Sequence, residues 1–154
     1  MDTHLFNSDY IEKKLEEATY NASLGIRLIR IATMDVSGKD ITLIVVKLDP
    51  GKQLIPHLHE IDGEICIPLS AGLLTLGKAI RDKKGMYKTD AEGKILVDWD
   101  TPQKITPGKP IEIAPGIPHH LYAPAKKAVI LFFILPATHL EGDKKFVTYP
   151  QIVY

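Results

Sequence analysis

Three side chains that favour transition metals lie close together in the sequence between His57 and Glu64. The imidazoles of His57 and His59 are separated by one residue, so in a β-strand both point to the same face. A turn predicted over residues 60–63 brings the Glu64 carboxylate back beside them. Two neutral imidazoles and a carboxylate on rigid strands form a ligand set for a divalent transition metal with open coordination positions. His119, farther along the chain, is a fourth candidate ligand.

The residues around these candidates limit how they can be arranged. Glu64 opens the apolar run Glu-Ile-Cys-Ile-Pro-Leu, where an ionised carboxylate is costly to bury without a partner such as a cation. If Glu64 faces inward, strand alternation turns Cys66 inward as well, either as a small buried hydrophobic residue, which we favour, or as a residue near the metal. The same alternation turns His119 inward and His120 outward, so His120 is not predicted to be a ligand.

The rest of the sequence must position these residues, and its pattern predicts one β-rich domain over residues 1–154. Ser8 is the predicted cap of a helix over about 8–24, whose apolar stripe comprises Ile11, Leu15, Ala18 and Ala22. Short β-branched runs separated by Gly and Pro turns follow over about 26–135. They predict an all-β sandwich or barrel behind a short N-terminal helix.

Three other segments have distinct roles in this prediction. The charged stretch 81–94 contains two glycines and predicts a solvated hairpin. The sequence Pro115-Gly-Ile-Pro118 predicts a stiff bend that aims His119, because proline fixes φ and glycine permits left-handed values. The C-terminal tail, 136–154, alternates weakly from Phe146 onward and fits an edge strand, either of this sheet or of a partner's sheet.

Composition excludes several classes of protein. Lys plus Arg and Asp plus Glu each number 19, so the net charge is zero and a nucleic-acid or anionic-membrane partner is not expected. The single cysteine, Cys66, excludes an internal disulfide framework and fits a reducing compartment. The N-terminal sequence lacks a basic segment followed by an apolar one, and the apolar run 128–135 is too short to span a bilayer. We therefore expect a cytoplasmic protein.

The spacing of the candidate ligands resembles the two sequence motifs of the cupin superfamily. The first motif has a glycine, five residues, His-x-His, a glutamate and a further glycine, and the matching positions here are Gly51, His57, His59, Glu64 and Gly72. The second motif has a glycine, Pro-x-Gly, a histidine and an asparagine, and the corresponding residues here are Gly108, Ala114-Pro115-Gly116, His119 and Ala123. Every metal ligand of the family pattern therefore has a counterpart in this chain.

The chain departs from the family pattern at three places. Seven residues rather than six separate Glu64 from Gly72, which indicates a bulge or a longer turn. Ala114 occupies the position of a proline, and Ala123 occupies that of an asparagine. None of these departures removes a ligand.

The resemblance implies a small, single-domain cupin of the RmlC-like kind, which is a double-stranded β-helix or jelly-roll barrel. It also implies one divalent metal held inside one end of the barrel by His57, His59, Glu64 and His119, often in a homodimer. Imidazole and carboxylate ligands suit Fe, Mn, Ni, Co and Zn, so they do not choose the metal.

Three hypotheses about function remain open at this stage. The first is a dioxygenase-type metalloenzyme that acts on a small molecule. The second is a metal-dependent isomerase or lyase of sugars or keto acids, for which polar residues inside the barrel are expected; the strand residues Arg27, Arg30, Gln53 and Thr75 are the candidates. The third is a small-ligand-binding cupin without catalysis.

Overall fold

The computed structural model describes residues 8–124, 126–136 and 143–151. In this part of the chain one helix, α1, is followed by twelve strands, and all strand pairs within the sheets are antiparallel. Their bounds are α1 Ser8–Glu17, β1 Tyr20–Asn21, β2 Ile26–Val36, β3 Lys39–Leu48, β4 His57–His59, β5 Glu64–Pro68, β6 Gly72–Ala79, β7 Val97–Trp99, β8 Gln103–Ile105, β9 Ile111–Ile113, β10 His119–Tyr122, β11 Val129–Pro136 and β12 Lys144–Phe146.

The strands form two sheets that face each other across one apolar core. The first sheet has the order β1-β2-β3-β11-β5-β9, and the second has the order β12-β4-β10-β6-β7, with β8 pairing with β6. The core between them contains mainly Leu, Ile and Val side chains, such as Val46, Leu74 and Leu131. This arrangement confirms the predicted all-β jelly-roll architecture.

The helix α1 covers the outer face of the first sheet. Ile11 and Leu15 are buried against Val45 of β3, and Ile130 and Phe132 of β11 pack on the same cluster. Because β11 therefore contacts apolar residues on both of its faces, its nearly continuous apolar sequence is explained.

The helix is shorter than the predicted range of about 8–24, since it ends at Glu17. A local turn takes over: the Asn21 carbonyl accepts the Gly25 N–H at 2.8 Å, and Gly25 has a left-handed φ of 74°. A guanidinium nitrogen of Arg27 also donates to the Ala18 carbonyl at 2.7 Å, just past the last helical turn. These hydrogen bonds outweigh the weak apolar stripe, so residues 20–21 pair with β2 instead.

The segment before the candidate ligands is mostly irregular. Within residues 53–59 only β4 is a regular strand, although Gln53 makes an isolated bridge to Tyr122. The segment 81–94 is the predicted exposed hairpin excursion, with a bridge between Arg81 and Tyr87. Within the described residues no helix is both long and apolar enough to cross a membrane.

Candidate metal centre

The three histidines of the predicted site lie together inside the barrel. His57 and His59 are the ends of β4, and His119 begins β10, where its Cα is paired with that of His57. All three side chains are buried, and one potential ligand atom of each lies within 4.8 Å of the others. Glu64 begins β5 in the opposite sheet and is also buried. Strand alternation places the three histidine side chains of one sheet and the Glu64 side chain of the other inside the barrel, as the sequence predicts.

The Pro115–Pro118 bend ties the two halves of the site together. The Gly116 N–H donates to the His59 carbonyl at 2.6 Å, and Gly116 has a φ of 77°, which side chains other than that of glycine rarely adopt. The Pro118 carbonyl accepts the Gly77 N–H at 3.0 Å. The backbone on both sides of the bend is therefore anchored, and this fixes where β10 starts.

Hydrogen bonds to the backbone determine which nitrogen of the His57 and His119 rings can bind a metal. His57 Nδ1 lies 2.8 Å from the Ile55 carbonyl oxygen, and His119 Nδ1 lies 3.0 Å from the Ile117 carbonyl oxygen. A carbonyl oxygen can only accept, so each Nδ1 carries the proton and donates it. In the neutral rings, both Nε2 atoms therefore carry a lone pair.

These lone pairs point at one small volume. The Nε2 atoms of His57 and His119 are 3.2 Å apart, and Glu64 Oε1 lies 3.1 Å from His119 Nε2. Three acceptor atoms at such distances repel one another unless a cation or shared proton lies among them. Neighbouring ligands of an octahedral ion with metal–nitrogen bonds of about 2.1 Å are about 3.0 Å apart. The donor set and its spacing therefore fit a divalent transition metal.

Burial keeps His57 in the protonation state that a metal ligand requires. Desolvation lowers the pKa of His57 well below its ordinary value, the neighbouring His119 lowers it further, and the bond to the Ile55 carbonyl only partly opposes this. The ring is consequently neutral at pH 7, and neutral imidazole is the form that coordinates metal ions.

Glu64 and Cys66 have different relations to the three histidines. Glu64 Oε1 lies 3.1 Å from His119 Nε2, so the structure places the carboxylate beside the histidine cluster; coordination by this carboxylate stays a prediction. Cys66 is buried on the same face of β5, and burial, reinforced by the Glu64 charge, raises the pKa of its thiol to about 12. A thiol that stays protonated is a poor metal ligand, which favours its interpretation as a small buried hydrophobic residue.

A small cavity of about 50 Å³ adjoins the histidines and Glu64. Apolar side chains from β2, β3 and β11 form much of its wall: Ile26, Leu28, Ile44, Val46, Phe133 and Leu135. Of the four polar residues that the sequence offered, Arg27, Arg30, Gln53 and Thr75, none is among those that line this cavity. The interior beyond the ligands is therefore mainly apolar.

Lys144 is the cavity-lining residue that sequence analysis missed. It lies on β12 with its Cα opposite that of His59, and its side chain lines the cavity beside His57, His59 and Glu64. Burial lowers the pKa of Lys144, an effect that the Glu64 carboxylate opposes. The residue stands in a short strand within the tail, where the alternation is weak, and no local motif marks it.

Asp143, the residue before β12, holds the turn that joins two of the candidate ligands. Its carboxylate accepts the backbone N–H groups of Glu60, Ile61 and Asp62 at 3.0, 3.0 and 3.2 Å. Burial by itself would raise the pKa of Asp143, but these donors together hold it below its ordinary value. The C-terminal strand therefore clamps the turn between His59 and Glu64.

His120 points away from the metal centre, as predicted, yet it is fully buried rather than exposed. Its Nε2 lies 2.8 Å from Gln53 Oε1, and Trp99 and Tyr149 flank its ring with centroids 6.5 and 6.3 Å away. Burial, followed by the effect of His119, lowers the pKa of His120 to about 4. The residue is part of the packing on the outer face of the second sheet.

Comparisons with known proteins show the fold alone. No protein-family model matches the sequence, and no curated protein matches it. Solved structures do match: the polyketide cyclase RemF from Streptomyces resistomycificus has a TM-score of 0.58 at 14% identity over 87% of this chain and 81% of that one. A cupin-2 domain protein from Rhodospirillum rubrum has a TM-score of 0.57 at 16% identity, over 85% and 73% of the two chains.

A third matching structure is that of an enzyme, and the match covers a smaller share of the enzyme's chain. It is the DMSP lyase DddQ from Ruegeria pomeroyi, with a TM-score of 0.52 at 16% identity over 90% of this chain and 60% of that one. Taken with the two facing antiparallel sheets and the buried histidine cluster, these likenesses identify the architecture. The chain has the cupin fold, with three buried histidines inside the barrel whose ligand atoms lie close enough together to hold a metal ion.

Proposed function

We propose that this protein is a small-molecule metalloenzyme that binds one divalent transition metal through His57, His59, His119 and Glu64. The observation that carries the proposal is that His57 Nε2 and Glu64 Oε1 both lie within 3.2 Å of His119 Nε2 in a buried site. Each of the two rings is held in the required tautomer by a backbone carbonyl, which is the usual support for a metal-binding histidine. Three imidazoles and one carboxylate leave about two positions of an octahedral ion for a substrate or water.

The first candidate reaction is oxidation of a small molecule by dioxygen. A bound iron(II) ion would supply the redox chemistry, while the apolar residues of the cavity would exclude bulk water. The polyketide cyclase and the lyase that share the fold are too distant in sequence to decide the reaction. This candidate predicts oxygen consumption that depends on iron and on His59.

The second candidate is a redox-neutral reaction of the isomerase or lyase class, favoured by Lys144. An ammonium group beside the metal ligands can stabilise negative charge that develops on a substrate next to a Lewis-acidic metal. In this reaction Lys144 would hold the substrate's negative group, and the apolar wall would keep the site dry. This candidate predicts turnover with zinc or manganese and no oxygen uptake.

Elemental analysis of the protein purified without added metal tests the metal centre. We expect about one transition-metal ion per chain in the native protein and loss of that ion in His119→Ala. His120→Gln is the matched control, because the adjacent histidine faces the other side of the sheet, and it should retain the metal. If the native protein binds none of Fe, Mn, Co, Ni or Zn after loading and dialysis, the proposal is wrong.

The two reaction classes are separated by loading the metal-free protein with iron or with zinc. Oxygen uptake with diketones, thiols or phenols in the iron form alone would support the dioxygenase. Isomerisation or elimination of keto acids in the zinc form would support the redox-neutral enzyme. A metal-loaded protein with neither activity would instead support a ligand-binding cupin.

A further inference from the structure

Lys144 is held inside the barrel by the register of the C-terminal strand. In the pairing of β12 with β4, Lys144 is opposite His59 and Lys145 is opposite Leu58. Residues paired across antiparallel strands project to the same face, so Lys144 shares the face of the metal-binding histidines. Lys145 projects to the other face, where its ammonium lies 3.0 Å from Glu60 Oε2. Two adjacent lysines therefore have opposite environments.

The balance of charge leaves a place for an anion. A divalent metal with Glu64 as its one anionic ligand has a net charge of about one positive, and the Lys144 ammonium adds a second. His57, His59 and His119 are neutral ligands and add nothing. Buried charge of one sign is costly unless it is compensated, so a negatively charged ligand is expected when the metal is bound.

The cavity restricts the size and polarity of the uncharged part of that ligand. The cavity volume is about 50 Å³, and the side chains that line it include Leu28, Val46 and Phe133. Such a wall offers no hydrogen-bonding groups to a sugar's hydroxyls, which would be desolvated without compensation. A short aliphatic skeleton with one anionic group satisfies both the wall and the charge.

We infer that Lys144 is a substrate-binding residue that pairs with the carboxylate of a small aliphatic acid beside the metal. This inference rests on the proposed function, because it takes the metal to be bound at the histidines. It narrows the substrate class from small molecules in general to short-chain organic acids. Sugars and other polyhydroxylated molecules are excluded by the apolar wall.

Binding of acetate to the zinc-loaded protein tests this role without requiring turnover. In Lys144→Met the dissociation constant for acetate should rise by about tenfold or more, because a charge-assisted hydrogen bond is lost. Acetamide, which has the same skeleton and no charge, should bind both proteins equally. Lys145→Met is the matched control on the neighbouring residue, and it should bind acetate as the native protein does.

Zinc affinity, measured separately by calorimetry, distinguishes the two possible failures. If the native protein does not bind zinc, the proposed function is wrong. If zinc binds and Lys144→Met binds acetate as tightly as the native protein, the metal centre stands and Lys144 serves only to balance the charge of Glu64. Should Lys144→Met fail to fold, Lys144→Gln replaces it.

A direct measurement on the native protein is available if both variants fail to fold. The methyl group of bound acetate should then give nuclear Overhauser contacts to the Lys144 side-chain protons. Contacts from bound acetate to other residues without any to Lys144 would overturn the inference.

Discussion

The Ile55 and Ile117 carbonyls control the chemistry of the rings two residues farther along the chain. Each accepts the Nδ1 proton of the following histidine, at 2.8 Å for His57 and 3.0 Å for His119. This repeated arrangement orients both rings before any metal arrives, which reduces the cost of ordering them on binding. At the scale of single residues, the site is therefore organised by the backbone of the ligand strands themselves.

A substitution of Glu64 tests whether its carboxylate binds the metal beside these rings. In Glu64→Gln the charge is removed with little change in shape, and we expect the zinc affinity to fall by about tenfold to a hundredfold. Isothermal titration of the metal-free protein measures the change. Glu112→Gln is a suitable control, because Glu112 is an exposed glutamate on the neighbouring strand β9. Equal zinc affinities for native protein and Glu64→Gln would show that the carboxylate is not a ligand.

At the scale of elements, β12 connects the C-terminal part of the chain to the metal centre. Asp143 binds the turn over residues 60–62, Lys144 lines the cavity, and Phe146 pairs with His57. The strand is only three residues long, so its attachment depends on these contacts as much as on its ladder with β4. Loosening it should disturb the metal centre without removing any ligand.

Asp143→Ala should lower both stability and metal affinity. Loss of hydrogen bonds from three backbone N–H groups to a partly exposed carboxylate costs about 1–2 kcal/mol of unfolding free energy, as for a helix cap. Zinc affinity should fall several-fold, because the turn between His59 and Glu64 is no longer held. Chemical denaturation and zinc titration measure the two effects.

The matched control for Asp143 is Asp90, which accepts the N–H groups of Glu92 and Lys94 at 2.9 Å in the hairpin excursion. Asp90→Ala should lower stability and leave zinc affinity unchanged.

The stabilisation by Asp143 should also depend on pH. Because the pKa of Asp143 is lowered in the fold, its contribution to the free energy of unfolding is present above about pH 4 and is lost as the pH falls through the pKa of the folded state. If Asp143→Ala bound zinc as the native protein does, the clamp would have no role in the site.

At the scale of the whole molecule, buried neutral histidines make the metal-free protein sensitive to acid. The pKa of His120 is about 4 in the fold, and that of His57 is also well below its ordinary value. The unfolded chain, with histidine pKa values of about 6.5, therefore takes up protons first as the pH falls. Stability is expected to decrease from about pH 6.5 down to about pH 4.

His120→Leu isolates one part of this acid sensitivity, because His120 lies outside the metal centre. Between pH 7 and pH 5, the native protein should lose about 2 kcal/mol of unfolding free energy through this residue, and the variant should not. Denaturation of the metal-free proteins at both pH values measures the difference. The same pH dependence in both proteins would contradict the buried, neutral state of His120.

Much of the architecture and the grouping of the three histidines were predictable from local patterns. Alternation in Glu-Ile-Cys-Ile-Pro correctly placed Glu64 and Cys66 inward, and the Pro-Gly-Ile-Pro bend correctly indicated the start of β10. The helix end was wrong, since hydrogen bonds among Asn21, Gly25 and neighbouring residues outweigh an apolar stripe. The homodimer and the cytoplasmic location stay predictions.

The sequence by itself determined the strand pattern, the cupin resemblance and the candidate ligands, because residue spacing along a strand dictates which side chains share a face. Only the tertiary structure decided that His57 and His119 meet at 3.2 Å, that His120 is buried, and that Lys144 joins the cavity. These facts depend on which strands pair and in which register. Such pairing joins residues far apart in the chain, and a one-residue shift would turn Lys144 outward.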